Sequence, residues 1–121
     1  MVLAAVDDFL FRSKIRTTAK QAGVEITFSK TAPEILEQAR ALKPSLLIVD
    51  LNSAVLSPIE TIASLKRDPE LSSIRTLGFV SHVDAARIAA ARAAGADDVM
   101  ARSAFAGNLA DILLAHRTAQ P

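Results

Sequence analysis

The chain has 121 residues, a formal net charge of +1 and no cysteine, and half of its residues are apolar. That length suits a single domain over residues 1–121 with a core of its own, and that apolar fraction excludes a disordered chain. The missing cysteines exclude disulfide scaffolds, thiolate metal centres and cysteine nucleophiles, and the near-neutral charge argues against a protein built to grip nucleic acid. No apolar run approaches the length of a membrane span. Asp7 and Asp8 interrupt the first apolar stretch too early for a signal peptide, so the expected compartment is the cytoplasm. Alanine supplies 23 residues, and the aromatics are five Phe with no Trp or Tyr. A chain so poor in aromatics is a poor base-stacking module.

Two kinds of segment alternate. Val2–Val6 is a continuous apolar run, the pattern of a strand buried on both faces, and it ends at Asp7 and Asp8. Helical spacing of Ile15, Ala19 and Ala22 predicts a helix from about Phe9, closed by Gly23. Val24 to Phe28 reads as a second strand. Thr31 and Glu34 make a capping box ahead of a helical stripe of Ala32, Ile35, Leu36, Ala39 and Leu42. Leu46–Val49 is the strongest strand pattern, and it stops at Asp50. Ser57, Pro58 and Glu60 form a second helix start, with Ser57 expected to cap a helix reaching about Lys66. A polar loop at Asp68–Glu70 leads to a strand over Ile74–Val80. Asp84 to Ala94 is an alanine-rich helix closed by Gly95, Asp97 and Asp98 read as a polar turn, and Val99–Met100 as a short fifth strand. A last helix is expected over Asn108–His116, with Leu109, Ile112 and Leu113 inward, and the Thr118–Pro121 tail is expected to fray.

Five strand–helix repeats with short loops imply an α/β domain, a doubly wound parallel sheet covered on both faces. Such sheets carry their sites at the carboxyl ends of the strands. There the sequence places Asp7 and Asp8, then Asp50, then Ser81 and His82, and after the fifth strand Arg102. Carboxylates gathered in one pocket repel one another, and a divalent cation relieves the conflict. Oxygen donors without His or Cys among them suit magnesium. A carboxylate beside a metal, a hydroxyl and a cation is a plausible phosphoryl acceptor.

Val6-Asp7-Asp8, Leu46-Leu47-Ile48-Val49-Asp50, Val80-Ser81-His82 and Ala94-Gly95-Ala96-Asp97-Asp98, in that order and spacing, make the chain resemble the receiver domains of two-component response regulators over nearly its whole length. The resemblance implies a flavodoxin-like (βα)5 fold with strand order 2-1-3-4-5. It also implies a phosphorelay role with a histidine kinase or phosphotransfer protein as partner. By the same resemblance Asp50 is the phosphoacceptor, and Asp7, Asp8, Asp50 and the backbone carbonyl of Asn52 hold Mg2+. Ser81 is the hydroxyl that senses the phosphoryl group, and Arg102 is the cation of the site. Such a domain is not a free-standing enzyme, and its output runs through protein contacts rather than direct nucleic-acid or membrane binding.

Some positions depart from the receiver pattern. Arg102 and Ser103 stand where receivers carry lysine and usually proline, and arginine is bulkier than an ammonium and offers a planar fork. The acceptor stretch reads Asp50-Leu51-Asn52-Ser53-Ala54 without Met-Pro, Pro58 takes a glycine position, and Val99 stands at the aromatic switch. The link from Asp8 into the first helix is short, which leaves open whether Asp7 or Asp8 faces the metal. A second reading follows from these departures: an atypical pseudo-receiver that acts as an interaction module without phosphorylation. A third, a small flavodoxin-like ligand-binding protein or enzyme, finds no Gly-rich phosphate loop, because the four glycines never cluster. Seven alanines between Ala85 and Ala94 give the fourth helix little bulk. Small side chains let another backbone approach closely, and the resemblance to receivers implies a partner or a second copy on the face formed by the fourth helix, the fifth strand and the last helix.

Overall fold

The computed structural model describes residues 1–81 and 84–117. His82, assigned no role above, and the Thr118–Pro121 tail lie outside the described residues. Five strands, β1 (Val2–Ala5), β2 (Ile26–Ser29), β3 (Leu46–Asp50), β4 (Arg75–Val80) and β5 (Asp98–Ala101), form one parallel sheet in the order β2-β1-β3-β4-β5. The connecting helices are α1 (Phe9–Ala22), α2 (Ala32–Leu42), α3 (Pro58–Arg67) and α4 (Ala85–Ala94), followed by α5 (Arg102–Gly107) and α6 (Leu109–Ala115). The α/β class and the strand order expected from the sequence are those observed.

The continuous apolar runs have a direct cause. Side chains alternate between the two faces of a strand, and here both faces are covered. Val2, Ala4, Leu46 and Ile48 pack with Ile15, Phe105 and Leu113 on one side. Leu3, Ala5, Leu47 and Val49 pack with Ile35, Ile62 and Leu65 on the other. Every residue of β1 and β3 is buried, so neither strand shows the apolar–polar alternation of a half-exposed sheet.

Local chemistry sets the helix ends. Asp8 caps α1 by accepting the Phe11 amide at 3.0 Å, and Thr31 caps α2 by accepting the Glu34 amide at 3.3 Å. Asp84 caps α4 through the Arg87 amide at 3.0 Å. Ser57 does not cap as expected. It stands at the start of α3 with φ of 43°, outside the extended backbone of a capping residue, and makes no capping bond through its side chain; its amide closes a single 3-10 turn over Ala54–Leu56. That turn carries the chain from Asp50 into α3 and has no counterpart in the sequence reading.

Three further expectations are corrected. β2 begins at Ile26 rather than Val24, because the Val24 amide is spent on the Ala19 carbonyl in closing α1. Asp97 and Asp98 are not a free polar turn. Asp98 opens β5 and pairs with Arg75 at 2.8 Å, while Asp97 accepts the Thr76 amide at 2.8 Å and Lys66 Nζ at 3.0 Å. The last helix starts earlier and is split: α5 follows β5 at once, and Asn108 divides it from α6. Phe105 anchors α5 in the core, stacked on Phe79 at 5.0 Å and 5.9 Å from Phe11.

Candidate functional site

Register brings the site residues to one rim. Asp50 ends β3 opposite Phe79, Val80 ends β4 opposite Ala101, and Ser81 and Arg102 are the next residues in each case. Asp7 and Asp8 follow β1 at the same end, since Ala5 pairs with Val49. The residues singled out from the sequence therefore do converge, although they are engaged unequally.

Asp50 is the buried acid, 7% exposed. One carboxylate oxygen accepts the Asn52 amide at 2.9 Å. Burial raises its pKa above the usual carboxylate value, and this outweighs the opposing pull of the Asn52 amide and Arg102. Asp7 and Asp8 push it in the same direction as burial. Asp7 is exposed, and Asp8 is partly buried.

Asp8 has two tasks. Oδ1 caps α1, and Oδ2 accepts Arg102 Nη2 at 2.9 Å. The Phe11 amide and then Arg102 hold its pKa below the ordinary value. Arg102 is positioned from below as well: its guanidinium lies over the Phe11 ring, 4.1 Å from the centroid. Phe11 itself rests on Phe79, with ring centroids 5.1 Å apart. Three of the five phenylalanines thus form the floor on which the site's cation is seated.

The loop after Asp50 is tied to its neighbours by groups that the sequence reading missed. The Asn52 side chain accepts the Ser81 amide at 2.7 Å, so it fastens the end of β3 to the end of β4. The Ser81 hydroxyl is on the exposed surface of the rim. Arg87 of α4 reaches the Leu51 carbonyl with Nη1 at 2.9 Å. Leu51 is wholly buried over Gly78, where a Cβ would lie 2.7 to 2.9 Å from its side-chain carbons. The close approach explains the glycine. Spacing alone offered one hint of Arg87, three residues after the Asp84 cap. Nothing local pointed to its partner 36 residues away.

Magnesium takes oxygen ligands in near-octahedral geometry and keeps several waters. Asp7, Asp8, Asp50 and the Asn52 carbonyl are donors of that chemistry. Their placement is less open. Both Asp8 oxygens already have partners, and among the described residues no three acidic or histidine side chains are gathered closely enough to hold an ion. The donor types suit the ion, and in this arrangement one Asp8 oxygen is held by Arg102.

No protein-family model matches the chain, and neither does any curated protein sequence. Solved structures do match. Chemotaxis response regulator CheY4 of Vibrio cholerae superposes with a TM-score of 0.81 at 20% identity, covering 93% of each chain. A response regulator from Hahella chejuensis gives a TM-score of 0.83 at 20% identity over 93% of this chain and 90% of its own. The phosphorylated cyanobacterial phytochrome response regulator RcpA gives 0.79 at 20% identity over 94% and 88%. The chain has the receiver fold.

In this receiver fold β5 is one of the two edge strands, in contact with α4 and α5. A cavity of about 650 Å3 opens there, lined among others by Lys14, Ile88, Arg92, Val99, Met100 and Arg102. Val99 is one of its walls. No acidic residue is among the described residues of that lining. No described helix is long and apolar enough to cross a membrane.

Proposed function

We propose that residues 1–121 act as one receiver-type signalling module that accepts a phosphoryl group on Asp50 from a histidine kinase or phosphotransfer protein. The observation that carries this reading is the buried Asp50 carboxylate at the carboxyl end of the central strand β3, with one oxygen fixed by the Asn52 amide and Arg102 and Asp8 beside it. In the transfer, an Asp50 oxygen forms a bond to phosphorus as the donor's phosphorus–nitrogen bond breaks, and the leaving imidazole takes a proton from solvent. The chain supplies position and electrostatics. Asn52 orients the carboxylate, Arg102 offsets negative charge, and Ser81 meets the phosphoryl oxygens. Magnesium, held by Asp7, Asp8, Asp50 and the Asn52 carbonyl, would neutralise charge on the transferring group.

Exposed Phe9 and Leu10 begin α1 directly after Asp8 and give a donor protein an apolar surface beside the acceptor. The output partner is placed on the α4–β5–α5 face, where the cations of the edge cavity suit an acidic surface and a second copy is the other candidate. The module works in the cytoplasm through protein contacts, without direct nucleic-acid or membrane binding and without turnover as a free-standing enzyme. A pseudo-receiver that works unphosphorylated is the second reading. The engagement of Asp8 by Arg102 favours it.

Beryllofluoride, which mimics an acyl phosphate, tests the choice by amide shifts in the presence of magnesium. Shifts centred on Asp50, Asn52 and Ser81, absent from Asp50→Asn, support phosphorylation. An unchanged spectrum at saturating beryllofluoride overturns it in favour of the pseudo-receiver.

A further inference from the structure

Arg102 is the first residue of the short helix α5. Its guanidinium pairs with Asp8 at 2.9 Å, with the two side chains 33% and 39% exposed. The Phe11 ring at 4.1 Å holds the guanidinium in place. Asp8 in turn has no oxygen left over, since its other one caps α1.

We propose that Arg102 is the resident cation of the acidic rim and competes with the divalent ion for Asp8, which makes the unmodified domain a weak magnesium binder. The inference rests on reading the Asp50 rim as a phosphoryl-acceptor site. With Asp8 among the ligands, as in the function proposed above, an incoming ion meets an oxygen that Arg102 already holds. The other is committed to α1, and losing it uncaps the helix. The guanidinium also adds a positive charge next to the place where a doubly charged ion must sit. Displacement of Arg102 is therefore built into metal entry. A freed guanidinium is then available to engage phosphoryl oxygens as a fork.

Magnesium chloride titrations of the intact chain, followed by the amide shifts of Asp8, Asp50 and Asn52, test this directly. Arg102→Met keeps an apolar stem over Phe11 and removes the charge. It should bind magnesium roughly tenfold more tightly than the wild type. Arg102→Lys should fall between them. Adding Asp8→Asn to Arg102→Met should abolish the gain. Equal or weaker magnesium binding by Arg102→Met, in a protein whose amide spectrum shows it folded, overturns the proposal. So does a gain that survives Asp8→Asn. These outcomes are separate from the acceptor reading: Arg102→Met can gain magnesium while Asp50 takes no phosphoryl mimic, and the reverse is equally observable.

Discussion

Arg87, on the third residue of α4, donates to the carbonyl of Leu51, the residue that follows Asp50, at 2.9 Å. Through this bond the alanine-rich helix is attached to the acceptor loop itself. The Asn52 side chain makes a second tie, to the Ser81 amide at 2.7 Å. Arg87 makes a direct polar link from Leu51 to α4. In Arg87→Gln, beryllofluoride shifts at Asp50 and Ser81 should persist while those across α4 shrink by more than half. Undiminished α4 shifts would show that this bond carries nothing.

Asp50 has a pH signature. Its pKa is raised in the fold by burial, so the folded state holds the proton more tightly than the unfolded chain. Such a group favours the fold below its unfolded pKa, and that contribution is lost as pH rises through the folded value. At neutral pH an ionised Asp50 is a liability. Asp50→Asn keeps the acceptor for the Asn52 amide and should raise stability at pH 7 by ~1 kcal/mol, about 4 °C in Tm for a domain of this size. Thermal melts from pH 7 downward should show the two proteins converging at acid pH. A constant difference would point to packing rather than charge.

Gly78→Ala should destabilise by about 1–3 kcal/mol, because the new methyl meets the wholly buried Leu51 side chain below 3 Å. Denaturant midpoints measure the loss. Amide shifts at Asp50 and Asn52 should accompany it, since Leu51 moves with the acceptor loop. A neutral substitution would mean that Leu51 can yield without disturbing its neighbours.

Asp97 behaves in the opposite sense to Asp50. Burial pushes its pKa up, but the Thr76 amide and Lys66 outweigh that and hold it below the ordinary value. A lowered folded pKa gives stability above the unfolded value that is lost as pH falls through the folded one. Lys66 Nζ also donates to the Ile74 carbonyl at 2.7 Å, so Asp97, Lys66 and the start of β4 form one network. Asp97→Ala should cost about 1–3 kcal/mol at pH 7, and the deficit should narrow on acidification. An equal deficit at all pH values would remove the ionised carboxylate from the explanation.

Legibility followed the range of the interaction. The buried runs Val2–Val6 and Leu46–Val49, and the cap at Thr31, depend on neighbours within a few residues, and the sequence displays them. The doubly wound parallel sheet followed from the strand–helix alternation, and its strand order from the resemblance to receivers. The rim positions of Asp8, Asp50, Ser81 and Arg102 followed from where the strands stop. Long-range partnerships did not follow. Arg102 and Asp8 are 94 residues apart, and no local pattern says that the arginine takes the aspartate. Asp97 looked like turn polarity because its partners, Thr76 and Lys66, lie on other elements. α5 was missed because Phe105 alone marks its buried face, and the turn before α3 was missed because Ser57 resembled an ordinary cap.

Acceptance of a phosphoryl group by Asp50 follows from the function proposed above. Incubation of the intact chain with magnesium and a small phosphodonor, followed by intact mass and peptide mapping, tests it without a cognate kinase. One phosphoryl group on the peptide containing Asp50, absent from Asp50→Asn, is the expected result. A folded wild-type chain that gains no mass at saturating donor and magnesium, or gains it at another residue, would contradict the account.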